Sequence, residues 1–187
     1  MHNEHMTKSA LPKPIIIDLP YQSIDDKAEI EKAFVEQLGY ETLSAVERET
    51  LHYIFDYPTV YVVHTEDKNR YKSVPDYTVY VGETNSIRNR TSQHLKTDSN
   101  VREDWKDFAD RLQSDASSAW QYVIADGHFN KSMTLDVENK LMHYLLGSEA
   151  VKNLNNRRAN AQGDYYTKSE FDRFFSNIWF GLHNGIR

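Results

Sequence analysis

The sequence predicts an α+β domain. Three short runs are rich in β-branched and aromatic residues, and the stretches around them repeat apolar residues at helical spacing. The strand-like runs are Thr59–His64 (TVYVVH), Tyr77–Gly82 (YTVYVG) and Trp120–Ala125 (WQYVIA). The first two are joined by polar residues that include Pro75, which reads as a hairpin with a long loop.

Residues 1–13 read as a disordered leader and 14–19 (PIIIDL) as a short strand. From Asp25 to Leu38, the positions of Ile30, Phe34, Val35 and Leu38 predict a helix that stops at Gly39. A second helical stretch carries Leu43, Val46, Leu51 and Ile54, and Pro58 ends it. Residues 1–57 are thus expected to form a leader and helical extension that packs on a main unit over 58–187. After the hairpin, Ser86 is placed to cap a short helix reaching Leu95. Asn100–Gln113 is a further amphipathic helix with Val101, Trp105, Phe108 and Leu112 on one face. A helix over Leu135–Leu146 stops at Gly147, and an Asn-rich loop follows. Ser169 and Asp172 make a capping-box-like start to a last helix bearing Phe171, Phe174, Phe175, Ile178, Trp179 and Leu182.

A chain of 187 residues fits one domain with a modest extension. It has no cysteine, which excludes disulfides, thiolate catalysis and zinc sites built on sulfur. No apolar run approaches the roughly 18 residues of a membrane span, and the first residues are polar, so a cytoplasmic location is expected. The formal net charge of −6 argues against a nucleic-acid partner. Local clusters argue for one: Arg88, Arg90 and Lys96 in one stretch, Lys152, Arg157 and Arg158 in another.

Polar residues at apolar positions mark candidate function. The inward stripe of the short helix contains Ile87 and Leu95, but also Arg90 and His94, one turn apart. The stripe of the Leu135 helix (Leu135, Leu141, Met142, Leu145 and Leu146) contains Glu138, and a buried carboxylate needs a cation or metal nearby. Tyr61 and Tyr80 sit centrally in the hairpin strands. Each feature has a plain alternative: a snorkelling arginine, a satisfied core histidine, a helix-dipole glutamate, cross-strand aromatic packing.

Taken together, these residues resemble the GIY-YIG nuclease family. Thr59-Val60-Tyr61 stands at the first motif, with threonine in place of glycine, and Tyr80-Val81-Gly82 at the second. Arg90 follows Tyr80 by ten residues and His94 lies four further on. Glu138 matches the family's metal-binding glutamate, and Asn156, with Asn155 second, its closing asparagine. A narrower similarity over about residues 58–182 is to the version that precedes a P-loop, helicase-like ATPase domain in larger bacterial proteins. No G-x-x-x-x-G-K-S/T pattern occurs here, so such a domain would be a partner outside this chain.

The resemblance implies a small three-stranded antiparallel sheet flanked by helices, here with the N-terminal helical extension. It also implies an endonuclease that hydrolyses DNA by one-metal, water-mediated attack. Glu138 would hold Mg²⁺ or Mn²⁺, and Arg90 would stabilise the phosphate oxygens. Tyr61 would act as general base with His94 assisting. Tyr80 would bind the phosphate or the attacking water, and Asn156 would orient the site. Arg88, Lys96, Lys152, Arg157 and Arg158 would bind DNA. The alternative is a catalytically degenerate member that binds DNA or a protein.

Overall fold

The computed structural model describes residues 15–20, 44–67, 75–103, 119–156 and 168–185, with positions 32, 35, 36, 73, 105, 106, 108 and 110. In chain order the elements are β1 (Ile15–Pro20), α1 (Ala45–Asp56), β2 (Thr59–Asp67), β3 (Asp76–Thr84) and α2 (Ile87–Gln93). A π-helical turn (His94–Asp98), α3 (Ser99–Val101), β4 (Ala119–Ala125), α4 (Lys131–Leu146), β5 (Val151–Leu154) and α5 (Lys168–Gly185) follow.

The α+β class holds, but the sheet is larger than the expected three antiparallel strands. It has five strands in the order β1-β4-β2-β3-β5, and it is mixed. The three expected strands form its centre: β2 pairs antiparallel with β3, with Tyr61 opposite Gly82, and with β4, with Tyr61 opposite Val123. β1 adds an antiparallel edge on β4, and its Pro20 is tolerated at that edge. The strand the sequence hides is β5. Its four residues (VKNL) lack an apolar run, and it exists because it pairs parallel to β3. Tertiary pairing, not local propensity, makes this strand.

Side-chain alternation divides the core into two layers. One face carries Tyr61, Val63, Tyr80 and Val123, and packs under Leu51, Ile54 and Phe55 of α1, Ile87 of α2, and Trp105 and Phe108. The other carries Val60, Val62, Val79, Val81 and Ile124 beneath Val137, Leu141 and Met142 of α4 and Phe174, Phe175 and Ile178 of α5.

Several boundaries differ from expectation. Helix α4 begins at Lys131, four residues before Leu135, because Asn130 caps it: its Oδ1 accepts the Met133 N–H at 3.0 Å. The earlier start puts Met133, Thr134 and Val137 in the core and leaves Leu146 exposed at 65 %. Ser86 stands at the N-cap of α2, yet its side chain makes no capping bond. Its backbone N–H instead donates to Thr84 Oγ1. Arg102 is extended (φ −106°, ψ 119°) and breaks the expected Asn100 helix. Val101 therefore points to solvent, 77 % exposed, while Trp105 and Phe108 are buried. Helix α5 is already helical at Lys168, so Ser169 lies inside it and not at its cap. The leader at 1–13 and most of the Asp25–Leu38 helix lie outside the described residues. Positions 32, 35 and 36 of that helix are helical.

Candidate active site

The two tyrosine motifs meet because β2 and β3 are antiparallel neighbours. Tyr61 lies opposite Gly82, and its phenol ring folds over that glycine. A Cβ at position 82 would come within 2.8 Å of Tyr61 Cε1 and closer still to the hydroxyl end. The glycine of the second motif is thus the space the first motif's tyrosine occupies.

Helix α2 lies over the same face, held by Ile87 in the core and by Thr91, whose Oγ1 accepts from Gln121 Nε2 of β4 at 3.2 Å. This anchoring turns Arg90 and His94 toward Tyr61. Arg90 Nε donates to Tyr61 Oη at 3.2 Å, and Tyr61 Oη lies 2.6 Å from His94 Nε2. His94 is stacked on Trp105 with ring centroids 3.9 Å apart and has Tyr80 edge-on at 5.5 Å. Four of the expected residues, Tyr61, Tyr80, Arg90 and His94, therefore form one cluster on one face of the sheet.

Two residues that the motif reading passed over complete it. His94 Nδ1 lies 2.6 Å from Asp98 Oδ2, and Asp98 Oδ1 accepts from Gln93 Nε2 at 3.3 Å. Gln93 Oε1 in turn accepts from Arg90 Nη1 at 3.0 Å. The signal for Asp98 was present: a carboxylate four residues after His94. The chain carries the two on a π-helical turn, a rare conformation that is frequent at functional sites.

Electrostatics follow from burial. Burial opposes the Arg90 charge, but the Tyr61 and Tyr80 phenols outweigh it and raise the guanidinium pKa. For His94, burial and then the Arg90 charge push the pKa down to about 3, against the pull of Asp98. The imidazole is therefore neutral. Tyr61 and His94 are sealed from solvent, and the cluster opens outward through Arg90, whose side chain is 25 % exposed.

The other expected residues lie outside this cluster. Asn156, just past the end of β5, grips the second motif from the β5 side of β3. Its Oδ1 accepts the Val81 N–H at 3.0 Å and its Nδ2 donates to the Val81 carbonyl at 2.6 Å. The Asn155 N–H donates to the Val79 carbonyl at 2.8 Å. Glu138 is buried at 6 % exposure on α4, the helix that covers the opposite face. Lys131, at the start of α4, pairs with Glu83 of β3, while Leu145, near its end, lines a cavity with Tyr77 and Val151.

Among the described residues no group of three His, Cys, Asp or Glu gathers around a common point. Glu138 supplies a single carboxylate, an oxygen ligand of the kind Mg²⁺ prefers, from a buried position on the face opposite the Tyr61 cluster.

Of the expected DNA contacts, Lys96 on the π-helical turn and Lys152 on β5 are exposed. Arg88 is half-buried and lies over the Phe55 ring at 4.8 Å. Arg157 and Arg158 lie outside the described residues. The cavity, of about 470 Å³, is on the α4–α5 face, and none of the expected site residues lines it. No family model, curated protein or solved structure matches the chain.

Proposed function

We propose that this chain is a GIY-YIG-type endonuclease domain that hydrolyses DNA phosphodiester bonds with a divalent metal ion. The reading rests on one observation above all: Tyr61, Arg90 and His94, drawn from three elements, share a hydrogen-bonded chain seated on Gly82. A core stabilised only by packing has no use for a guanidinium, a phenol and an imidazole in series, because burying them costs free energy that apolar residues would not.

In this reading the phosphate approaches from the Arg90 side. The guanidinium turns outward from Tyr61 to the non-bridging oxygens, where its planar fork offsets the charge that develops in the transition state. Tyr61 Oη, uncovered by that movement, takes a proton from the attacking water, whose oxygen bonds to phosphorus as the ester oxygen leaves. A neutral His94 accepts the proton that Tyr61 gives up. Tyr80 lines the approach, and Asn156 fixes the backbone on which Tyr80 and Gly82 stand. Glu138 would hold Mg²⁺ or Mn²⁺, which supplies Lewis-acid stabilisation of the leaving oxygen when bound. A P-loop ATPase domain outside this chain would be a natural partner for such a unit.

The full burial of Tyr61 and His94 favours one second reading, a degenerate member that keeps the cluster as a buried polar network and binds DNA or protein without cutting. Mg²⁺-dependent cleavage of plasmid and branched DNA by the wild type, Arg90→Ala and Glu138→Ala separates the two. The nuclease reading expects wild-type cleavage, a loss of about 10²–10³-fold or more in each variant, and retained folding in thermal melts. Absence of metal-dependent cleavage by the folded wild-type protein selects the binding module.

A further inference from the structure

The hydrogen bonds around His94 have a direction that the tyrosine and arginine alone do not explain. Asp98 Oδ2 lies 2.6 Å from His94 Nδ1, and a carboxylate only accepts, so Nδ1 carries the imidazole proton. A neutral ring then has a bare Nε2, which can only accept, so Tyr61 O–H donates to it across 2.6 Å. Tyr61 Oη accepts from Arg90 Nε–H. The result is a one-way series: guanidinium to phenol, phenol to imidazole, imidazole to carboxylate.

The geometry points to Asp98 as the positioning residue of an Asp98–His94–Tyr61 triad that makes Tyr61 a base. This inference rests on the nuclease reading above. Asp98 never touches substrate. It holds one tautomer and one orientation of His94, as the buried aspartate of a hydrolase triad does for its histidine. When water gives its proton to Tyr61 Oη, the phenol's own proton passes to His94 Nε2. The imidazolium formed then lies between the Asp98 carboxylate and the Tyr61 oxygen. One proton leaves water, one arrives on His94, and the phenol ends as it began. Hydrolysis resets the site when His94 returns its proton through Tyr61 to the departing oxygen or to solvent.

The surroundings of Asp98 are built for this. Its carboxylate is 93 % buried, its side chain being 7 % exposed. It takes hydrogen bonds from Gln93 Nε2 and Arg102 Nη1, each at 3.3 Å, and Arg90 Nη1 stands 3.9 Å away. Each of these three groups is a donor. These bonds lock the acceptor toward His94, while Trp105 clamps the ring from its face.

The test compares Asp98→Asn and Asp98→Ala with the wild type. Nitrogen-15 NMR of the His94 ring reads the tautomer, and single-turnover cleavage of duplex DNA with Mg²⁺ between pH 7 and 9 reads the chemistry. The expected wild-type ring is protonated at Nδ1 alone. In the variants that preference is lost, and cleavage at pH 7 falls about 10²-fold or more. The deficit shrinks toward pH 9, as hydroxide replaces the relay, which a purely structural defect would not do. A wild-type ring protonated at Nε2, or variants that cleave within twofold of wild type at pH 7, overturns the assignment of Asp98. If the wild type shows the Nδ1–H ring and the variants lose it, the positioning role stands even where no protein cleaves DNA. In that case only the nuclease reading falls.

Discussion

Gly82 and Tyr61 show how a single atom can set the site. Because a Cβ at position 82 would overlap the Tyr61 phenol, Gly82→Ala must push the ring away from His94 and Arg90. The expected cost is about 1–3 kcal/mol, in the range of core overpacking, with loss of cleavage in the same variant. Denaturant melts and the nuclease assay check both, and a variant as stable and active as wild type would contradict the close approach. His64 offers a pH test of the core. It is 5 % exposed, neither ring nitrogen has a hydrogen-bond partner among the described residues, and burial lowers its pKa to about 4. The sign follows from linkage. Between the unfolded value near 6.5 and about 4, the unfolded chain binds a proton that the folded chain refuses, so stability falls as pH drops through that window. The loss levels off below it and amounts to about 3 kcal/mol for this group. Stability curves of His64→Phe should be flatter from pH 6.5 to 4 than those of the wild type; equal slopes would mean that His64 is not the group responsible.

At the scale of elements, one side chain extends the pairing of β3 beyond the end of β5. Asn156 imitates a strand, offering an acceptor to the Val81 N–H and a donor to its carbonyl just past the end of β5. Asn156→Leu leaves both groups without that partner, and Asn156→Asp sets a carboxylate against the carbonyl. A loss of about 1–3 kcal/mol is expected for either. Faster hydrogen exchange at the Val81 amide is the local readout, and unchanged protection there would show that the amide clasp is dispensable. The same element explains what the sequence concealed. β2, β3 and β4 were legible because their side chains alternate between two buried layers and must be apolar on both. β5 was not, because its Lys152 and Asn153 face solvent and only the backbone of β3 makes it a strand. The Asn100 helix was read as unbroken because periodicity cannot register one extended residue, Arg102, that turns Val101 away from the core before the helical positions 103, 105, 106, 108 and 110.

At the scale of the whole molecule, an acidic chain that binds DNA must do so through a small positive surface. Lys96 and Lys152 are exposed, and the Arg90 side chain reaches solvent at 25 % exposure. With about three phosphate contacts, affinity should fall with a log–log slope of about −2.7, roughly 40-fold between 50 and 200 mM salt. Fluorescence-anisotropy titrations across that range, repeated with Lys96→Glu, test this. A flat response in the wild type would exclude a phosphate-binding face.

The amino-acid order alone was enough for the α+β class, the central hairpin and its third strand, and the order of Tyr61, Tyr80, Arg90 and His94 along it. Those properties are local: they depend on side-chain period, on β-branching and on spacing within a strand or helix. Tertiary structure decided the rest. It set Tyr61 on Gly82, brought Arg90 and His94 to Tyr61, made β1 and β5 into edges, and laid the Glu138 helix over the other face. Each of these depends on which backbone lies beside which, and no stretch of the chain carries that information until distant segments share a sheet.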